Sequence, residues 1–173
     1  MSSSSIAKNF EQKFRVDWKR SFPDGFVFRL NDQMSGFKNV SQNPSDFICY
    51  SYPHIWFCEV KTHAGSSIPF QAMVQYDRLL KYVDIEGCFC GFIVWFYEKD
   101  EDVIYLPVET VKKLKKDGEK SFGLRHLDNP KYPSYRVPTL KKKQVFRDSD
   151  YSVLVKYLTE NEEQNQNRRN RKS

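Results

Sequence analysis

The 173-residue chain has only three histidines, His54, His63 and His126, and four cysteines, Cys49, Cys58, Cys88 and Cys90, with no C-x-x-C spacing among them. Structural zinc takes four such ligands at close spacing, so this scarcity argues against a zinc site. Long apolar runs are missing as well. The longest, Cys88 to Phe96, is too short to cross a bilayer, and the serine-rich start, Met1 to Ser5, leads into an amphipathic segment rather than a signal core. These absences predict a cytoplasmic protein with reduced, buried thiols. No internal repeat is visible. What the chain does have is 39% hydrophobic and 16% aromatic residues, enough for one well-filled core.

The formal net charge of +6 is by itself an ordinary solubility charge. Its distribution says more. Residues 1–107 hold 11 basic and 13 acidic residues and 148–173 hold five of each, whereas 108–147 hold 12 basic and four acidic residues. Lys112, Lys113, Lys115 and Lys116 form one cluster, Lys120 and Arg125 follow, and Lys141, Lys142 and Lys143 form another near Arg147. Lysines in this density supply nonspecific phosphate contacts to nucleic acid, although any single one also fits a solvated helix face.

Local patterning predicts a helix capped by Ser5, with Ile6, Phe10, Phe14 and Trp18 on one stripe, ending before Pro23. Strands follow at Phe26 to Leu30, Asp46 to Tyr50 and Ile55 to Lys61, the last two joined by a turn at Ser51 to His54, and Asn31 to Pro44 reads as a loop. After a loop at Thr62 to Ser67, a helix is expected over about Pro69 to Val83. A strand buried on both faces comes next at Phe89 to Phe96, then a strand at Val103 to Leu106 and a helix from Pro107 through Lys116. Residues 117–147 are weakly patterned, Tyr151 to Leu158 reads as a closing helix, and 159–173, with no apolar residue, as a disordered polar tail. The order implies one α/β domain over 1–158, with a mixed central sheet flanked by helices.

Chemistry concentrates at Asn43-Pro44-Ser45-Asp46 and Glu59-Val60-Lys61. Alternation along a strand puts Glu59 and Lys61 on one face and Val60 on the other. If Asp46 begins the antiparallel partner, its carboxylate lies beside Glu59. Two carboxylates and a lysine at one sheet end suit metal-assisted phosphodiester hydrolysis, with hard oxygens for Mg²⁺, Mn²⁺ able to substitute, and a lysine to orient the attacking water. The Val60 carbonyl is a further potential ligand. An E-x-K triplet is also a common cross-strand ion pair, but the apolar runs flanking these charges would bury them, and buried charges need partners or a metal.

Asp46, Glu59 and Lys61 match the PD-(D/E)xK nuclease motif. With Asn43-Pro44-Ser45-Asp46-Phe47, Glu59-Val60-Lys61-Thr62-His63 and Ser66-Ser67-Ile68-Pro69-Phe70, the chain resembles Holliday-junction resolvases of the RecU type, closest to their phage versions, over roughly Phe10 to Leu127. The resemblance implies a restriction-endonuclease-like core and a homodimer that cuts four-way DNA junctions in recombination and repair. It makes Asp46, Glu59 and Glu11 metal ligands, Lys61 the water-orienting residue, Gln75 a side chain near the site with Gln71 as a competing assignment, and Ser45 a hydroxyl beside the aspartate. Glu11 reads equally as an exposed helix carboxylate. The bacterial members carry a long stalk before the Asp strand, and here that interval is only Asn31 to Ser45. A nuclease for forks, flaps or duplex DNA, and a noncatalytic DNA-binding protein of the same fold, are the competing readings. The aromatic excess in Phe10 to Phe28 makes the first helix a candidate dimer surface.

Overall fold

The computed structural model describes residues 2–30, 43–99, 103–143, 146–156 and 158, with backbone alone for 141–143, 146 and 147. The predicted polar tail at 159–173 and most of the predicted loop at Asn31 to Pro44 lie outside the described residues. Helix α1 spans Ser3–Ser21, starting three residues earlier than a Ser5 cap would place it. Ser2 holds the extended cap conformation, and the Ser5 hydroxyl donates to the Ser2 carbonyl at 2.7 Å. The helix stops before Pro23, where continuation would cost a backbone hydrogen bond.

Six strands make the central sheet: β1 (Phe26–Arg29), β2 (Phe47–Ser51), β3 (His54–His63), β5 (Cys88–Phe96), β6 (Val103–Pro107) and β8 (Tyr135–Val137), hydrogen-bonded in the order β1-β2-β3-β5-β6-β8. β4 (Ser67–Pro69) stands outside it and pairs antiparallel with β7 (Ser121–Gly123), and β9 (Thr139–Lys143) pairs with β10 (Phe146–Ser149). Among the described strands only β3 and β5 pair in parallel, so the chain between them must cross over. Gly91 in β5 has a clear reason: a Cβ there would lie 2.6 Å from the Tyr105 ring and 2.7 Å from the Leu106 carbonyl oxygen on the neighbouring strand.

Two apolar layers cover the sheet. On one face Phe10, Phe14 and Trp18 of α1 meet Phe47, Cys49, Trp56, Cys58 and Val60, closed by Tyr151 and Leu154, with residues 152–156 helical. On the other, Phe92, Val94 and Phe96 meet Val108, Val111 and Leu114 of α3 (Val108–Lys116), together with Phe70, Met73, Tyr76 and Leu79 from the crossover. The architecture is the expected α/β arrangement, a mixed sheet flanked by helices. Residues 90–96 are buried throughout, as a strand covered on both faces requires.

The helix expected over Pro69 to Val83 is corrected. That stretch holds the end of β4, a 3₁₀ turn at Phe70–Ala72 and one short helix, α2 (Tyr76–Leu79). Phe70, Met73, Tyr76 and Leu79 recur every three residues, a spacing that a helix face and a series of tight turns share. The pairing of Pro69 with Ser121, and the Phe70 N–H donated to the Lys120 carbonyl at 3.1 Å, hold the segment's start to β7 instead. The weakly patterned stretch 117–147 contains β7, β8 and β9 and the start of β10.

Beyond the sheet, α1 is clamped to β10. Asp17, 1% exposed, pairs with Lys13 and with Arg20 at 2.9 Å, and accepts the Ser149 N–H at 2.9 Å; Lys13 and Arg20 also reach Asp148, at 2.7 and 3.4 Å. The Ser21 hydroxyl accepts the Tyr151 N–H at 2.9 Å.

Candidate active site

Asp46 is fixed on two sides. Its carbonyl accepts the Leu30 N–H at 2.8 Å, which extends the β1–β2 pairing, and its Oδ2 accepts the Val60 N–H of β3 at 3.2 Å. The Asp46 N–H in turn donates to Glu59 Oε2 at 2.9 Å, so the two carboxylates are interlocked through each other's strands. Antiparallel register makes this possible: Phe47 stands opposite Cys58, which places Asp46 beside Glu59. Lys61 Nζ lies 2.7 Å from Glu59 Oε1. Alternation holds as expected, since Val60 packs into the layer against α1 while Glu59 and Lys61 face the layer of α3. Ser45 is buried, and its hydroxyl donates to the Phe47 carbonyl at 2.8 Å, a turn-stabilising bond at the entry to β2.

Glu59 is fully buried. Desolvation, reinforced by the neighbouring Asp46 charge and opposed by Lys61, pushes its carboxyl up to about 8. A carboxylic acid held neutral at pH 7 beside a second carboxyl is a pair that a divalent cation would relieve, because it favours ionisation of both. The donor set is all hard oxygen, with half-buried Asp46 and buried Glu59 on adjacent strands, and this fits Mg²⁺ or Mn²⁺.

The pH dependence has a definite sign. Glu59 ionises near 4.3 in an unfolded chain and near 8 in the fold, so its contribution to stability is complete below the lower value and is lost as pH rises through the higher one. Glu59→Gln removes that loss. In urea melts without divalent cation, the variant is expected to gain about 2–4 kcal/mol on wild type between pH 4 and pH 8. Parallel pH profiles for the two proteins would show that Glu59 is ionised in the fold.

Glu11 comes near this group without joining it. Its carboxylate pairs with Arg29 of β1 at 2.8 Å; burial raises its pKa, Arg29 lowers it, and the charges of Asp46 and Lys61 act on it more weakly. Among the described residues no three His, Cys, Asp or Glu side chains gather in a metal-holding cluster. Arg29 was not anticipated. Its signal was alternation along β1, which turns Val27 and Arg29 one way and Phe26 and Phe28 the other, but the meeting with Glu11 depends on how α1 crosses the strand. Gln71 is exposed, while Gln75, just before α2, has a buried Oε1 with no hydrogen-bond partner among the described residues. Arg78 of α2 donates to the Asn43 carbonyl at 2.9 Å, which ties this helix to the chain entering Asp46.

Lys112, Lys113, Lys115 and Lys116 are exposed on α3, opposite its buried Val108, Val111 and Leu114, and Lys120 is exposed just beyond. Lys115 Nζ sits 3.7 Å above the Tyr76 ring, a cation–π contact that commits part of its charge. Arg125 is exposed and paired with Glu119 at 2.5 Å. Lys141, Lys142 and Lys143 lie on β9, but their side chains, with that of Arg147, fall outside the described residues. α3 and the Glu59–Lys61 pair share one face of the sheet.

Fold and site together define an α/β protein with an interlocked carboxylate pair and a lysine at one sheet end. No family model matches the chain, and no curated protein does. Among solved structures the chain is similar to the 1.6 Å structure of Hjc from Archaeoglobus fulgidus, a Holliday junction resolvase from an archaeal hyperthermophile, at 17% identity and a TM-score of 0.49, covering 73% of this chain and 91% of that one. No helix among the described residues is long and apolar enough to cross a membrane.

Proposed function

We propose that the chain is a Mg²⁺-dependent, structure-selective DNA endonuclease that resolves four-way junctions, working in recombination and repair. The observation that carries this reading is the interlocking of Asp46 and Glu59 with Lys61 2.7 Å from Glu59. Asp46 and Glu59 would hold the cation, with the Val60 carbonyl as a further donor and Glu11 joining only after releasing Arg29. When bound, Mg²⁺ supplies Lewis acidity toward a phosphate oxygen and a more acidic water. Lys61 orients that water and offsets charge on the transition state through its ammonium, which Glu59 aims. Gln75, with its buried free amide oxygen, is suited to hold a water nearby. The lysines of α3 grip phosphates on the same side of the sheet.

The test is cleavage of a four-way junction, with linear duplex and a fork of equal length as competitors, with and without Mg²⁺. Preferred, metal-dependent cutting of the junction supports the reading in full. Equal cutting of duplex would leave a nuclease of broader choice, the reading that the short interval before Asp46 favours.

Two opposed cuts need two active sites, so the working unit is a homodimer. The stripe Phe10, Phe14 and Trp18 is buried within its own core, so these aromatics are not free to dock a second copy. Among the described residues the exposed large aromatics are Phe26, Phe28 and Tyr52, at 47%, 68% and 82%; Phe26 and Phe28 lie together on β1, with Phe26 stacked on Tyr50 and Ile55 exposed on β3. This face is assigned to the second copy. Phe28→Asp is expected to halve the mass seen by light scattering and to uncouple the two cuts; an unchanged mass would refute the assignment.

A further inference from the structure

Away from the carboxylates, the small β4–β7 ladder holds a cavity of about 250 Å³ lined by Ser66, Ser67, Ser121, Gly123 and Arg125. The lining is polar and carries no acidic group. Among the described residues the three serine hydroxyls make no hydrogen bond, and Ser66 and Ser67 are exposed, so these hydroxyls are free to turn toward a ligand in the opening. Gly123 keeps the floor low: a Cβ would lie 2.8 Å from that of Ser67 and 3.0 Å from the Ser66 carbonyl oxygen, and would close the space. The walls are held by backbone. Ser67 stands opposite Gly123 and Pro69 opposite Ser121, and the Leu124 N–H donates to the Ser66 carbonyl at 2.9 Å. The Gly123 N–H donates to Nδ1 of buried His126 at 3.0 Å, which fixes the turn that presents Arg125.

Three hydroxyl donors and a guanidinium around a glycine floor form a receptor for a tetrahedral oxyanion. We infer that this cavity seats a non-scissile phosphate of the bound DNA and so sets where the strand lies across the cut site, an inference that rests on the nuclease reading. Ser66 follows Lys61 by five residues. Even a fully extended chain puts the two Cα atoms no more than about 18 Å apart, roughly five base-pair rises of duplex. Glu119 is part of the device. It holds Arg125 at 2.5 Å in the DNA-free protein, so an arriving phosphate competes with one carboxylate for one guanidinium. Ser66, Ser67, Ser121 and Arg125 are positioning residues, because they touch a phosphate that does not react.

The test uses the full chain carrying Asp46→Asn, which binds without cutting, and junctions in which backbone phosphates are replaced one at a time by neutral methylphosphonate. One replacement beyond the scissile phosphate should weaken binding about tenfold. Added Arg125→Gln, or Ser67→Ala with Ser121→Ala, should make that position indifferent while other positions keep their effects. Arg125→Gln should also lower the slope of log K against log salt by about 0.9, and Glu119→Gln should tighten binding. A second arm titrates inorganic phosphate and follows the amide resonances of Ser66, Ser67 and Gly123, which should shift in the Asp46→Asn chain and not when Arg125→Gln is added. An interference pattern unmoved by these changes overturns the inference even if the protein is a nuclease. Phosphate shifts at these amides without any DNA binding would instead leave an anion site and refute the nuclease reading, and with it the DNA role of the cavity.

Discussion

Asp46→Asn is expected to reduce junction cleavage in Mg²⁺ by at least about a thousandfold while leaving junction binding within a few-fold of wild type. The substitution is nearly isosteric, and an amide oxygen can still accept the Val60 N–H, so the β2–β3 register survives. What disappears is the half-buried charge that, with Glu59, would hold the cation. Lys61→Ala should also lose cleavage, but for another reason. It removes the cation that pairs with buried Glu59 among the described residues, and with it the group proposed to orient water. Mg²⁺ affinity should therefore fall steeply in Asp46→Asn and much less in Lys61→Ala, a contrast that calorimetric titration can read. Unchanged cleavage in either variant would sink the role assigned to that residue.

The second large effect is structural. Asp17→Ala is expected to destabilise the fold by about 2–4 kcal/mol, seen as a lower urea midpoint at unchanged slope. Asp17 is almost wholly buried, accepts the Ser149 N–H and holds Lys13 and Arg20; its removal strands that N–H and leaves both cations to Asp148 alone. The figure sits below the usual cost of breaking a buried pair because Arg20 is half exposed and Asp148 remains. By contrast the exposed Asp128–Arg136 pair at 3.4 Å should contribute under about 1 kcal/mol, read as the coupling energy of a double-mutant cycle because Asp128 itself holds a positive φ of 62°.

The parts that the sequence made legible were those whose evidence is local. Phe10, Phe14 and Trp18 declare a helix by their own spacing, and the apolar run through Phe96 declares a strand covered on both faces. Asp46, Glu59 and Lys61 could be brought together because strand alternation and a four-residue turn fix their placement. The β4–β7 ladder was hidden for the opposite reason. Each strand is three residues long and buries one large side chain, Ile68 or Phe122, so there is no period to detect, and the pairing joins segments more than fifty residues apart. Arg29 and Arg78 were missed similarly: each is an ordinary surface arginine until the packing of α1 or α2 gives it a partner.

The clamp between α1 and β10 also dictates an order of events during synthesis. Ser21 and Tyr151 are joined across 130 positions of sequence, and Trp18 finishes its packing only against Tyr151. Because α1 is made long before β10 and Tyr151, its aromatic stripe waits incompletely covered until they have emerged, and such distant closures fold slowly. In a chain halted before Tyr151 that stripe lacks its final cover, and apolar surface left open in this way is prone to misassociation.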